Sequence, residues 1–358
     1  MREERVPERF GVMQVRQLLP ILRSHRYDPV LLDFSDCRDV APLALIHLIA
    51  AVRARSLLGL ITTFRLPSSP AARWRLQEWG FAAALERAAN APIRLLVTME
   101  DIPHLDAPRP SPRLPLGGAA RQVLQFLQTE GLFGLISYPL GLPDVAIDMA
   151  NAEIARWSSP LALALFERSL KGDPQDVARV LVQELVINLS HRKNAHMTVI
   201  ASEMHLPENR ADVEDGQLVI AAWDDGEPMT AGGDMETDPL DVFPSVVLRP
   251  MDPAKSYTLR LPEIPAAVRR LIAAVRPRRQ DGSYPESYRR PRSELPLLLD
   301  HVVNKFAGTL TLSCAGTAVR LRSDPLGEAS FMAQIVPDAL ENTGNLIVME
   351  LPAYASSW

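Results

Sequence analysis

Apolar residues in this chain gather in short runs that alternate with longer, helix-periodic stretches. Val30 to Phe34 is a mainly apolar run closed by the turn formers Ser35 and Asp36, which predicts a strand. Pro42 to Arg55 predicts a helix, with Pro42 in the first turn, where its missing N–H costs nothing. Gly59 punctuates the chain, and Leu60 to Leu66 predicts a second strand. Ala71 to Ala89 predicts another helix, with Trp74, Leu76 and Trp79 among its apolar positions, and Ile93 to Thr98 a third strand. Strands that alternate with helices imply βαβ units and a largely parallel sheet.

The pattern breaks at residues 101–117 (DIPHLDAPRPSPRLPLG), where closely spaced prolines exclude a helix or a central strand. We place a linker there, between a first domain over residues 1–100 and a second over 118–358. Ala119 to Glu130 is helical by period. Asp173-Pro174-Gln175-Asp176 is a strong helix start: an acid at the cap, proline at the first position and a second acid in the first turn. That helix runs to His191. Met197 to Met204 and Gln217 to Trp223 predict strands joined by the polar residues 205–216. Leu295 to Phe306 predicts a helix, followed by strands at Thr309–Ser313, Ala318–Arg322 and Leu346–Leu351. This order fits an α+β sandwich with helices on one face of a mixed sheet.

Composition narrows the function classes. The 358 residues are 47% hydrophobic, enough for more than one core. A formal charge of −5 gives no general case for binding nucleic acid or acidic membranes. Two cysteines, Cys37 and Cys314, are too few for a disulfide framework, which suggests a reducing compartment. The charged N-terminus (MREERVPERF) has no signal-peptide core after it, and the longest apolar run, Ala41 to Val52, is too short to span a bilayer. The expectation is a soluble cytoplasmic protein.

Two places carry candidate chemistry. Between Val177 and Leu189 the helix that ends at His191 is apolar nearly all round, so it should be largely buried. Glu184, Asn188 and His191 fall at i, i+4 and i+7, on one face. A buried carboxylate needs a partner, a water or a metal-bound ligand. From the residues alone, Glu184 and Asn188 can equally bond to neighbouring backbone. The second place is the apolar run Leu218 to Trp223, which stops at Asp224-Asp225-Gly226. By itself this is compatible with a plain Asp-Gly turn.

Together, ELVINLSH and WDDGEPM resemble the N box and first glycine box of GHKL-type ATPases, the group of histidine kinases, DNA gyrase and anti-sigma-factor kinases. The resemblance implies a Bergerat-type ATP-binding sandwich. It makes Asn188 a Mg²⁺ ligand and Glu184 the general base, and it sets His191 near the phosphates. Asp224 would accept a hydrogen bond from the adenine amine, and Gly226 would let the backbone approach the base. Leu295 to Arg322 resembles the family's later helix and strand, with Ala307-Gly308 where most members have paired glycines. The closing strand is usually entered through Gly-Thr; both Gly344-Asn345 and Gly316-Thr317 qualify. Pro228 stands where the box normally has a glycine. The glycine-rich phosphate lid is missing too, since Tyr288 to Glu294 contains no glycine. Residues 269–292 instead hold eight arginines against Asp281 and Glu286. Forks such as Arg289, Arg290 and Arg292 can replace backbone donors for phosphate. A solvated basic loop and a local nucleic-acid patch, with Tyr284 and Tyr288 interleaved, are the alternatives.

Residues 28–90 resemble a STAS domain, the fold of anti-sigma-factor antagonists. The match rests on LLDFSDCRDVAPLALIHLIAAV and LITTFRLPSSPAARWRLQEWGFAAAL. The family's phosphorylatable serine has no counterpart in Ala41-Pro42-Leu43-Ala44. The expected architecture is therefore an α/β STAS-like domain fused to a GHKL-type domain. The expected function is an ATP- and Mg²⁺-dependent regulator, ATPase or protein kinase-like, of a bacterial signalling or conflict pathway. A protein partner would dock on the STAS-like domain, and a homodimer is open. The alternative is a non-catalytic, nucleotide-sensing scaffold with a degenerate site.

Overall fold

The computed structural model describes residues 2–24, 28–89, 95–96, 135–139, 185, 194–205, 216–229, 246–250, 265–274, 295–323, 331–336 and 344–353. Two compact units divide the chain, one of residues 1–138 with 199–204 and one of 139–198 with 205–357. The predicted linker 101–117 and the predicted helix 119–130 lie outside the described residues. So does the helix 174–191, except for Leu185, which is helical and fully buried.

In the first unit β1 (Arg2–Arg5), β3 (Val30–Asp33), β5 (Thr62–Arg65) and β6 (Leu95–Leu96) form a four-stranded sheet in that order. Every pairing is parallel. The short β2 (Arg9–Phe10) and β4 (Asp39–Val40) pair separately. Because spatial order follows chain order, right-handed crossovers carry successive helices to one side of the sheet. There α1 (Val12–Ser24) packs on α2 (Pro42–Leu57), and α2 on α4 (Phe81–Ala89). Helix α2 is buried on almost every side, which explains its long apolar run, interrupted by the buried His47. Strand β1 escapes sequence reading because Arg-Glu-Glu-Arg has no apolar alternation. It is an edge strand guarded by charge.

The helix expected over 71–89 is in fact two, α3 (Pro70–Glu78) and α4. Ser69 caps α3 by accepting from the Ala72 N–H at 3.4 Å. Gly80 ends it with φ +62, a left-handed conformation that costs a glycine little. Four phenylalanines run through the core: Phe10 meets Phe34 edge-on at 5.3 Å, Phe34 meets Phe64 at 6.3 Å, and Phe64 meets Phe81 edge-on at 5.9 Å. Arg55, also buried, ties the layers together. It donates to the Leu22 carbonyl at 2.9 Å, the Asp28 carbonyl at 2.7 Å and the Thr62 hydroxyl at 3.1 Å.

Strand β7 (Leu135–Pro139) and the middle of β8 (Met197–His205) group with the first unit. The second unit contains β9 (Gly216–Asp224), β10 (Val246–Pro250), α5 (Ala266–Ala274), α6 (Leu295–Leu299) and four further strands. These are β11 (Thr309–Cys314), β12 (Thr317–Arg322), β13 (Phe331–Val336) and β14 (Asn345–Ala353). They order as β10-β13-β12-β11-β14-β9, antiparallel throughout except for the parallel β10–β13 pair. The sheet is thus mixed. Helix α6 continues into a π-helical turn, Asp300–Lys305, rather than staying α-helical to Phe306. The turn ends with Phe306 donating to the His301 carbonyl at 2.9 Å and Gly308 to the Val302 carbonyl at 2.7 Å.

Cross-strand register sets the faces, because directly opposed residues share one. Leu218, Ile220 and Ala222 of β9 oppose Leu351, Met349 and Ile347 of β14. Met349 and Ile347 oppose Leu310 and Leu312 of β11, which oppose Leu321 and Val319 of β12. This apolar face ends in a row of different character: Asp224, Asn345, Cys314 and Thr317. On the other face of β9, Val219, Ala221 and Trp223 are buried as well, so both sides of that strand are covered.

Candidate functional site: a buried carboxylate at the end of the apolar face

Asp224 continues the alternation of Leu218, Ile220 and Ala222 and so faces the core, where it is 0% exposed. Its Oδ1 accepts from the Gly226 N–H at 2.9 Å, an Asx turn that the Asp-x-Gly sequence favours. It also accepts from Asn345 Nδ2 at 2.9 Å, and Asn345 is itself 0% exposed. A hydrogen bond to an ionised carboxylate is worth about 1.5–3 kcal/mol. Gly226 therefore acts as a donor that orients the carboxylate. Its φ is not positive, so freedom of backbone conformation is not its role here.

The Gly344-Asn345 pair sits directly across from Asp224, whereas Thr317 lies three strands along the same row. At about 4.8 Å per strand, Thr317 is roughly 14 Å away. Gly344, at φ +86, is pressed against Asp224: a Cβ there would overlap the Asp224 carbonyl oxygen and lie 3.1 Å from Asp225 Cα. The side chain of Asn345 also donates to the Glu227 carbonyl at 2.9 Å, and its Oδ1 accepts from the Met229 N–H at 2.6 Å.

Asp225 does different work from its neighbour. Its Oδ1 accepts from the backbone N–H groups of His196 and Met197 at 2.7 and 2.9 Å, which caps the start of β8. Thr198, fully buried, donates to the Trp223 carbonyl at 2.8 Å. Asn194, at φ 56, donates to Glu227 Oε1 at 2.6 Å. The turn 224–229 is thus held from two sides, by residues 194–198 and by the start of β14. Of the Ala307-Gly308 pair, Ala307 takes the left-handed φ of 51, while Gly308 supplies the close approach. A Cβ on Gly308 would lie 2.6 Å from the Glu350 carbonyl oxygen.

Sequence reasoning named Asp224 and Gly226, and the fold brings them together. Glu184, Asn188, His191, Arg289, Arg290 and Arg292 lie outside the described residues. Sequence reasoning assigned no role to Asn345 beyond a place in a Gly-x pair, and none to Asn194. Neither carries a local signal, because the partners of Asn345 are more than a hundred residues away in the chain. Among the described residues no cluster of three or more His, Cys, Asp or Glu side chains could hold a metal ion. No described helix is long and apolar enough to cross a membrane.

In the first unit the carboxyl ends of β3 and β5 carry another polar group. Burial pushes the Asp33 carboxyl up, but the Ser35 backbone and hydroxyl and the Arg65 guanidinium outweigh it and leave Asp33 below its ordinary value. Arg65 bonds Asp33 Oδ2 on the neighbouring β3 and reaches past it to Glu3 Oε1 on β1 at 3.1 Å. Among the described strands the sheet order has no reversal at these ends, which is where a topological switch point would open a crevice. Both cysteines are buried free thiols, and burial pushes Cys37 up to about 11. No protein-family model, curated protein or solved structure matches the chain.

Proposed function

We propose that the second unit binds an adenine nucleotide, with Asp224 as the acceptor for the base's exocyclic amine. The observation that carries this is a buried carboxylate placed by register at the end of an apolar sheet face. A carboxylate serves no packing need there, and burying it without bonded partners costs on the order of several kcal/mol. Two N–H donors hold Asp224 through Oδ1 and fix how the carboxyl group is presented. An adenine whose exocyclic amine donates to that group is the ligand this chemistry suits. The motif order in the sequence supplies the rest: ATP with Mg²⁺ on Asn188, Glu184 as base, and arginines 289, 290 and 292 at the phosphates. On this reading the chain is a cytoplasmic ATP-dependent regulator, whose first, STAS-like unit docks a protein partner.

Isothermal titration of the full chain with ATP, with and without Mg²⁺, tests the proposal. Asp224→Asn should weaken ATP at least tenfold and leave the fold intact, because tenfold needs only about 1.4 kcal/mol, within the range of one charge-assisted hydrogen bond. Unchanged affinity in that variant would remove Asp224 from the site. Binding without turnover, in the presence of every partner tried, would favour a nucleotide sensor over an enzyme; Pro228 in the turn and the lack of glycine in Tyr288 to Glu294 point the same way.

A further inference from the structure

The side chain of Asn345 behaves as a peptide group inserted between two strands' worth of backbone. Its Nδ2 donates to the Glu227 carbonyl at 2.9 Å, and its Oδ1 accepts from the Met229 N–H at 2.6 Å. These two groups flank Pro228, the one residue of the turn that has no N–H to offer. Reaching residues i−1 and i+1 around a central residue is how a strand bonds its parallel neighbour. The second Nδ2 hydrogen goes to Asp224 Oδ1 at 2.9 Å. All three hydrogen-bonding capacities that a buried primary amide most needs to satisfy are therefore used inside one constellation, with Asn345 at 0% exposure.

We propose that Asn345 is a positioning residue that couples the orientation of the Asp224 carboxylate to closure of the Glu227–Met229 turn. One planar amide fixes both ends, so the turn cannot swing away without releasing Asp224, and Asp224 cannot rotate without loosening the turn. Gly344 makes this geometry reachable, since any Cβ at that position would overlap the Asp224 carbonyl. The turn is anchored on its far side by Asn194 on Glu227 and by Asp225 on the His196 and Met197 amides. Ligand affinity at Asp224 is then set by a residue that need not touch the ligand. This inference deepens the nucleotide reading and rests on it.

The test uses the full chain and two substitutions. Asn345→Ala removes all three bonds. Asn345→Asp keeps an acceptor for Met229 but loses both donors and sets a second carboxylate against Asp224. Amide hydrogen exchange at Met229 and Gly226 is read without ligand, and ATP affinity by titration. In Asn345→Ala, Met229 should lose protection at least tenfold while β11 and β12 keep theirs, and ATP should weaken at least tenfold. In Asn345→Asp, Met229 should stay protected, yet ATP should weaken at pH 8 and recover as pH falls towards 5. Among the described residues the titratable groups beside that pair are Asp225 and Glu227 on the turn, His196 next to it and the buried Cys314 thiol across from Asn345 on β11. Asp225 and Glu227 already bond to the backbone of 196–197 and to Asn194 in the wild type, whose profile serves as the reference. Loss of Met229 protection with ATP affinity within twofold of wild type would overturn the coupling. Unchanged Met229 protection in Asn345→Ala would overturn the latch itself. A wild type that binds no ATP defeats the nucleotide reading, and the exchange data still judge the latch.

Discussion

Gly344→Ala is the sharpest test of how this site is built. The substitution adds one methyl group at φ +86, where it would overlap the Asp224 carbonyl oxygen and crowd the Asp224 carbonyl carbon at 3.0 Å. The obstacle is backbone and not the far end of a flexible side chain, so the start of β14 must move by roughly 1 Å to relieve it. Left-handed φ costs an alanine about 1–2 kcal/mol. Displacing Asn345 weakens its bond to Asp224, worth about 1.5–3 kcal/mol. The alanine recovers about 0.4–1 kcal/mol by stiffening the unfolded chain. The net expectation is a loss of about 2–4 kcal/mol. Gly59→Ala is the matched control, at φ +72 with nothing within 4 Å of the added carbon. It carries the conformational cost without the collision and should lose about 0–1.6 kcal/mol. Because the two positions lie in different units, a single melting curve is not a sound measure. Hydrogen exchange across a urea series reads β14 and β5 separately. ATP affinity should fall in Gly344→Ala and hold in Gly59→Ala. Costs that agree within about 0.5 kcal/mol would show that backbone conformation alone explains Gly344, and the close packing against Asp224 would then carry no weight.

Asp33 predicts a pH dependence in the first unit. Its folded value lies below the unfolded one, so its contribution is present above the unfolded value and fades as pH falls through the folded one. Asp33→Asn should lower stability near pH 7 and flatten the acid-side slope of urea midpoints, and an unchanged slope would exclude the Asp33–Arg65 pair as a source of acid sensitivity. On the nucleotide reading, Glu184→Ala should bind ATP within a few-fold of wild type but lose any turnover by roughly 10²-fold, as a positioned base would; surviving activity would make Glu184 structural. Replacing Arg289, Arg290 and Arg292 with alanine should weaken ATP more than adenosine and flatten the salt dependence of ATP binding, because only ATP carries the anion these forks would grip. Equal losses for both ligands would indicate misfolding, and loss of oligonucleotide binding alone would favour a nucleic-acid patch.

Local pattern was enough to place most of the described elements. Val30–Asp33, Thr62–Arg65 and Gly216–Asp224 are strands because their apolar runs are short, bounded by turn formers and rich in β-branched residues or buried on both faces. Helix α2 was legible from Pro42 and the length of its apolar stretch. The break between α3 and α4 was missed because a single glycine inside a periodic stretch is tolerated in many helices, and only packing decided that Gly80 turns left-handed. Strands β1, β2, β4, β7, β10 and β13 and helices α1 and α5 were missed as well. Arg-Glu-Glu-Arg becomes a strand only because β3 offers it an edge. The site divides along the same line. Asp224 was legible as an acid closing an apolar strand, a conflict visible within a few residues. Its partner was not, because Asn345 reaches it by cross-strand register 121 positions away, as does the choice of Gly344-Asn345 over Gly316-Thr317. Periodicity along a chain reports which face a residue takes; which residues share the end of that face is decided by strand order and register, which only the assembled sheet contains.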